Sequence, residues 1–313
     1  MTRTESILET INPDKIKPNP ENPRLVFREE DMNELLQSIQ QVGIKVPLTI
    51  YKGEGHFTLI DGERRWRCAR KLNLETVPVI IQPKPNPLEN LLMMFNIHNV
   101  RVDWDLMPMA LKLAKVRDML AKDGKPHDAG ALAAVTGVRL ATIKRAIDLL
   151  NMPLKYQNML LEEAAKPRSE QHVKADLFIE IYKSLHSVER HIPEVFERVT
   201  KAQYVDSLVG KYLEGTIDNV VSFRNISKIA RAENAGASKR DAIPAIVNLV
   251  KKDKYSVQNA YAETVENSYT QKDLVVRMRS LTSKLTNFKD SPDRETKEEL
   301  ITLRKVIDSI LGR

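Results

Sequence analysis

Apolar positions along this chain change their period near residue 88. Before it, Val46–Tyr51, His56–Ile60 and Val77–Gln82 read as strands, whereas Leu35, Leu36, Ile39 and Val42 line one helical face of Arg28–Val42. Gly43 stands where a helix often ends in a left-handed residue, and Lys52–Gly55 reads as the tight turn of a hairpin. Ile11–Ile16 opens this region, Lys17–Arg24 is a loop rich in Pro and Asn, Arg64–Leu72 is a helix, and Lys84–Pro87 closes the unit. From Leu88 onward the pattern is almost wholly helical, with prolines at 108, 126, 153, 167, 193 and 244 expected to mark helix starts or breaks. Pro153 and Lys166–Ser169 read as joints between helices, and the polar, alanine-rich Asn225–Asp241 as a linker or a surface helix.

The tail repeats apolar residues at spacings of four and three: Leu274, Met278, Leu281, Leu285 and Phe288, then Leu300, Leu303, Ile307 and Ile310. Lys289–Asp293 separates the two runs, which predicts a pair of helices packed on each other or on a twin subunit. The expected organisation is an α+β region over 1–88, a helical region over 89–225 and a helical C-terminal region over 226–313, the last a candidate for dimerisation.

Composition narrows this picture. A chain of 313 residues fits two or three domains, and 42% apolar residues with only 5% aromatics favour helices. Lys and Arg exceed Asp and Glu by seven, which points to a polyanionic partner, nucleic acid being the commonest. A single cysteine, Cys68, excludes an internal disulfide. The opening MTRTESILET lacks a signal peptide's apolar core, and no run reaches the ~18 apolar residues of a membrane span, so a soluble, cytoplasmic chain with no membrane partner is expected.

Two stretches carry candidate chemistry. In Asp61–Ala69, a glycine between strand and helix lets the backbone turn sharply. The helix start behind it offers N–H groups and a positive dipole end, and Arg64, Arg65 and Arg67 add forks that bind phosphate oxygens in pairs. That is a triphosphate cradle without a Walker lysine; the competing reading is a solvated arginine face paired with Glu63 and Asp61. In Asp128–Met152, small Ala133, then Gly137, then Ile143 have helix-turn-helix spacing, with Ile143 and Ile147 anchoring the second helix. Arg139, Leu140, Thr142, Lys144 and Arg145 then face outward, with Arg139, Lys144 and Arg145 as DNA contacts and Thr142 as a base reader. The competing reading here is an ordinary helical corner with a basic face. Cys68 reads as a buried small hydrophobe before a nucleophile, and His98 as a polar loop or pocket residue before a metal ligand.

Gly62–Ala69 resembles the arginine box of the ParB family. Asn19-Pro20 through Asn22-Pro23-Arg24, Asp31–Val42 with Gly43–Leu48, and Val77–Ile80 resemble its flanking segments, and Leu149–Pro153 the end of its helix-turn-helix. The likeness covers about Ile11 to Pro153; Ser169–His172 resembles a further Ser-x-x-His segment. It implies a ParB/sulfiredoxin-like α+β domain followed by mostly helical domains with a helix-turn-helix. It further implies CTP and magnesium as ligands, and a dimeric clamp on double-stranded DNA that works in DNA partition, often beside a Walker-type ATPase. By the resemblance, Gly62, Glu63, Arg64 and Arg65 face the triphosphate, and Gly43, Ile44 and Pro47 lie toward base and ribose. Asn99 and Arg101 match the third motif, Asn99 also serving magnesium through the nucleotide. Val46 replaces a usual glutamine, and the Glu and Gln of the third motif are missing around His98–Arg101, so CTP hydrolysis is expected to be slow at most. Extra residues around Trp104–Pro108 point to a plasmid-, phage- or island-borne relative. A nucleotide-independent transcription regulator is the main alternative. A nuclease is the lesser one, because it normally needs clustered acidic or histidine metal ligands and the arginine box supplies no such cluster.

Overall fold

Five strands and fifteen α-helices make up the residues described by the computed structural model, which are 7–22, 27, 29–99 and 105–312. The chain divides into two compact units: residues up to His186 together with Val205–Phe223, and Ser187–Tyr204 together with Arg224–Arg313.

The first unit opens with β1 (Ile7–Ile11), a 3-10 turn at Pro13–Lys15 and β2 (Ile16–Lys17). Helix α1 (Glu29–Val42), the hairpin β3 (Leu48–Lys52) and β4 (Phe57–Asp61), helix α2 (Glu63–Lys71) and β5 (Val77–Gln82) follow. The strands line up as β1-β5-β3-β4-β2. β1 runs antiparallel to β5 and β3 antiparallel to β4, whereas β3–β5 and β2–β4 pair in parallel. Alternation sets the register: Leu48, Ile50, Val77 and Val79 turn inward together and join Ile11, Ile16, Leu59, Trp66 and Ala69 in one core. Trp66 Nε1 donates to Pro13 O (2.9 Å), so the largest ring in this core has its polar atom satisfied.

Helices α3 (Pro87–Asn99), α4 (Leu106–Lys122), α5 (Ala129–Thr136), α6 (Leu140–Leu150), α7 (Leu154–Ala164), α8 (Ala175–His191) and α9 (Lys201–Leu213) continue the chain. Pro153 caps α7, and a 3-10 turn at Arg168–Glu170 forms the second expected joint. Glu163, nearly buried on α7, accepts from His172 N (2.7 Å) and Val173 N (3.1 Å) and pairs with Lys166, which fixes the approach to α8. Burial raises the Glu163 pKa, but Lys166 and the two amides together outweigh it and hold the carboxyl below its ordinary 4.5. A depressed carboxylate contributes stability above its unfolded pKa and loses it as pH falls through the folded one. Glu163→Gln is therefore expected to cost about 1–3 kcal/mol at neutral pH. Thermal melts of parent and variant should converge below pH 4.5; a gap independent of pH would refute the carboxylate's role.

The second unit holds α10 (Phe223–Ala230), α11 (Ala232–Ala235), α12 (Lys239–Lys251), α13 (Val257–Thr264), α14 (Glu266–Thr286) and α15 (Arg294–Leu311). Asn225–Asp241 is not a linker. Ile226, Ile229, Ala230, Ala232 and Ala235 are buried, the alanines being small enough for two short helices to turn tightly into α12. Pro244 lies within α12 rather than at its start. Neither α14 nor α15 buries a residue: Leu281 is 40% exposed and Ile310 75%. The expected packing of these helices on each other, which would make a core of their apolar positions, is thus absent among the described residues. No helix there is long and apolar enough to cross a membrane.

Candidate functional site

Strand β4 delivers Asp61 directly to Gly62, which has φ +96° and serves as the N-cap of α2. A glycine is required twice over: an L side chain rarely takes that φ, and a Cβ here would stand 2.6 Å from Leu48 Cδ2. The first intrahelical bond runs from Trp66 N to Gly62 O (2.9 Å), so the amides of Glu63, Arg64 and Arg65 lie ahead of it at the positive end of the helix. With glycine as N-cap, no side chain takes the place that a Ser or Asp would fill.

The arginine box divides its work. Arg65 donates to Pro47 O (2.8 Å) and Val46 O and pairs with Asp61 Oδ2 (2.9 Å), tying the segment after α1 to the start of α2. Glu63, buried, accepts from Asn22 Nδ2 (2.7 Å) and from Arg67 Nε (3.0 Å) and Nη2 (2.6 Å). Arg64 is half-buried between them. Gly43 caps α1 with φ +71°, its N–H on Ile39 O (2.9 Å); Ile44 packs against the core and Pro47 is half-buried. These residues therefore gather at one end of the α1–α2 pair. Asn99 ends α3, but its side chain, all of Arg101 and the side chain of His98 lie outside the described residues.

The loop before α1 supplies groups that sequence reasoning missed. Asn19 Nδ2 donates to Asn90 Oδ1 (2.7 Å) and Asn90 Nδ2 to Asn19 Oδ1 (3.3 Å), a buried amide pair linking the loop to α3. Glu21 is held by Lys112 (3.1 Å) and Lys115 of α4. Burial raises the Glu21 pKa, but the two lysines bring it below the ordinary value. The Asn-Pro repeats were the signal: asparagines bond readily to nearby backbone and amides in loops. Toward the other end of α2, Phe27, Met32, Asn33, Trp66, Arg67, Arg70 and Lys71 line a cleft of about 490 Å³. Cys68 is fully buried, its Sγ 3.8 Å from Met32 O, and burial pushes its thiol pKa up, so no reactive thiolate stands here.

Helices α5 and α6 pack on each other across the turn at Gly137–Arg139, with α5 running on to Thr136. Asp128 caps α5 by accepting from Gly130 N (2.7 Å) and Ala131 N (2.9 Å), and Gly137 ends it at φ +70°. Thr136 Oγ1 donates to Leu132 O (2.6 Å) and accepts from Val138 N (3.3 Å), which stiffens the turn. Ile143, Ala146 and Leu149 carry the buried face of α6, while Ile147 is only half-buried. Arg139, Leu140, Ala141, Lys144 and Arg145 are exposed; Thr142 is half-buried. Arg145 pairs with Asp176 of α8. Among the described residues no group of three or more His, Cys, Asp or Glu could hold a metal ion.

Residues 1–97 match the ParB N-terminal domain family. The nucleoid occlusion protein of Oceanobacillus iheyensis is 30% identical over 175 residues, 55% of this chain and 57% of that protein. That of Bacillus licheniformis is 30% identical over 212 residues, 64% of this chain and 70% of that protein. The crystal structure of C-terminally truncated chromosome-partitioning protein ParB from Caulobacter crescentus, complexed to the centromeric parS site, is 23% identical with a TM-score of 0.43 and covers 71% of this chain and 98% of that one. The chain thus spans little over half the length of the first of these relatives. The family match ends at residue 97, yet the 212 aligned residues must reach well past it into the helical part of the chain, and on that extent the chain belongs to the ParB family.

Proposed function

We propose that this chain is a CTP-controlled, site-specific DNA-binding protein that acts as a dimer in DNA partition. The observation that carries the reading is the start of α2, where Gly62 is an N-cap without a capping side chain, three leading amides lie ahead of the first intrahelical bond, and Arg64 and Arg65 follow in the first turn. Two features make this a phosphate site in chemical terms: a helix N-terminus with no capping side chain, and a guanidinium beside it. Arg65 and Glu63 serve it indirectly, since each holds a neighbouring segment in place. Gly43, Ile44 and Pro47 stand at the same end and suit the base and ribose. No acidic cluster on the described chain would hold a metal by itself, so magnesium would ride on the nucleotide phosphates, with Asn99 as its protein-side candidate. Binding would order the Gly43–Pro47 and Asn19–Asn22 segments around α2, and the missing Glu and Gln of the third motif leave hydrolysis slow.

The α5–α6 pair is read as the DNA-binding helix-turn-helix, with α6 in the major groove. Arg139 and Lys144 are exposed for phosphate or base contact. Arg145 would have to leave Asp176, an exposed pair whose loss costs at most about 1 kcal/mol. The apolar, unburied stripes of α14 and α15 suit a second copy of the chain, and a Walker-type ATPase is the expected partner in partition.

Calorimetric titration with CTP, ATP and GTP, each with magnesium and with or without duplex DNA, tests the reading. Selective CTP binding that Arg64→Ala abolishes in a folded protein is the expected result. DNA binding without any nucleotide binding would replace it with a nucleotide-independent regulator. For the DNA site, Lys144→Ala should lower the slope of log affinity against log salt by about 0.9 per lost phosphate contact. An unchanged slope and affinity would remove Lys144 from the interface.

A further inference from the structure

The first turn of α6 is apolar at the place where a recognition helix meets base edges. Leu140 is 44% exposed, Ala141 is exposed beside it, and Val135 at the end of α5 is 36% exposed. Single exposed leucines are common on protein surfaces and mean little by themselves. The surroundings of this one are specific. Arg139 precedes it, Lys144 lies one turn on along the same side, and Arg145 follows. Ile143, Ala146 and Leu149 already supply the buried face of α6, so Leu140 packs no core. Thr142, the polar residue expected from sequence to read bases, is half-buried, so Leu140 is the more exposed of the two.

In the major groove each base pair presents hydrogen-bonding groups, and thymine alone adds an apolar one, its 5-methyl group. A side chain without donors or acceptors can discriminate there only by contacting that methyl or by sterically excluding a bulkier base edge. We infer that Leu140 is a specificity-determining residue that reads a thymine methyl, with Ala141 small enough to let the helix approach closely and the cations on either side holding the phosphates. This rests on the DNA-binding reading of α5–α6 and adds to it the kind of base edge that is read.

The experiment uses the full chain and the duplex it enriches from a randomised library. Each thymine of that duplex is replaced in turn by deoxyuridine, which removes the methyl and leaves every hydrogen-bonding group in place. At one position per half-site the parent should lose about fourfold in affinity, the factor expected for burying one methyl group. Leu140→Ala, folded by circular dichroism, should bind the thymine and deoxyuridine duplexes equally, while Leu140→Met should restore the preference for thymine. The inference is overturned if deoxyuridine is tolerated at every position, or if Leu140→Ala keeps the parent's preference. A library that yields no enriched sequence overturns the DNA-binding reading itself, and the inference with it.

Discussion

Gly62→Val is expected to destabilise the N-terminal α+β region by several kcal/mol and to abolish the nucleotide binding proposed for the start of α2. Two costs arise at one atom. A non-glycine residue in the left-handed region loses about 1–2 kcal/mol, and more when β-branched. The new Cβ would also sit 2.6 Å from Leu48 Cδ2 and 3.1 Å from the Arg65 guanidinium. Leu48 is fully buried on the central strand of the sheet, so it has nowhere to retreat, and overpacking of this kind costs typically 1–3 kcal/mol. Arg65 would be displaced from Pro47 O and Asp61, which releases the segment after α1 from the start of α2. Gly43→Ala is the matched control. Gly43 also has a positive φ, +71°, but a Cβ there meets nothing within 4 Å, so only the conformational cost of about 1 kcal/mol applies. Thermal melts and CTP titration of both variants check this; equal losses would show that the close approach to Leu48 has no part in the site.

How far the sequence anticipates this structure depends on the range of the interactions involved. β5 runs over Val77–Gln82 as the alternation predicts, and α1, β3, β4 and α2 fall within two residues of their expected bounds. Each of these is encoded by a local period and closed by a local glycine or turn. The order β1-β5-β3-β4-β2 is not local: β1 finds β5 across some seventy intervening residues, and no periodicity names that partner. The same limit applies to the site. The Gly62 turn and the uncapped helix start were legible because they follow from one residue. That Arg65 binds Val46 O and Pro47 O, and that Asn19 pairs with Asn90, depends on segments brought together only by the sheet. On α6, helical spacing gave the basic outer face correctly. Thr142 is half-buried, because the width of the buried face is set by how deeply α4 and α5 pack against the helix.

If the chain acts as the DNA-binding, CTP-binding dimer proposed above, Leu281→Glu is expected to convert it to a monomer and to weaken binding to a two-half-site duplex by roughly 10²-fold or more, the gain that linking two binding modules commonly gives. Helix α14 buries none of its residues within its own chain. Its apolar positions Leu274, Met278, Leu281 and Leu285 follow the four-and-three spacing of a packed seam, yet all are at least 39% exposed. The helix is anchored at its start through contacts with α13 and α11, which include the stacked rings of Tyr261 and Tyr269 beside Lys228, so the seam projects from a fixed base. Paired across a two-fold axis, the same stripe on two copies is complementary to itself, and each buried leucine contributes about 1.5–3 kcal/mol. A glutamate at Leu281 would put one carboxylate from each copy into that apolar seam. The monomeric fold should be untouched, since the side chain packs on nothing within its own chain that buries it. Nucleotide titration provides the internal control, because CTP affinity should be retained while the mass measured by light scattering halves. A variant that stays dimeric, or one that becomes monomeric yet binds its duplex as tightly as the parent, would overturn the proposal that α14 joins two copies for DNA binding.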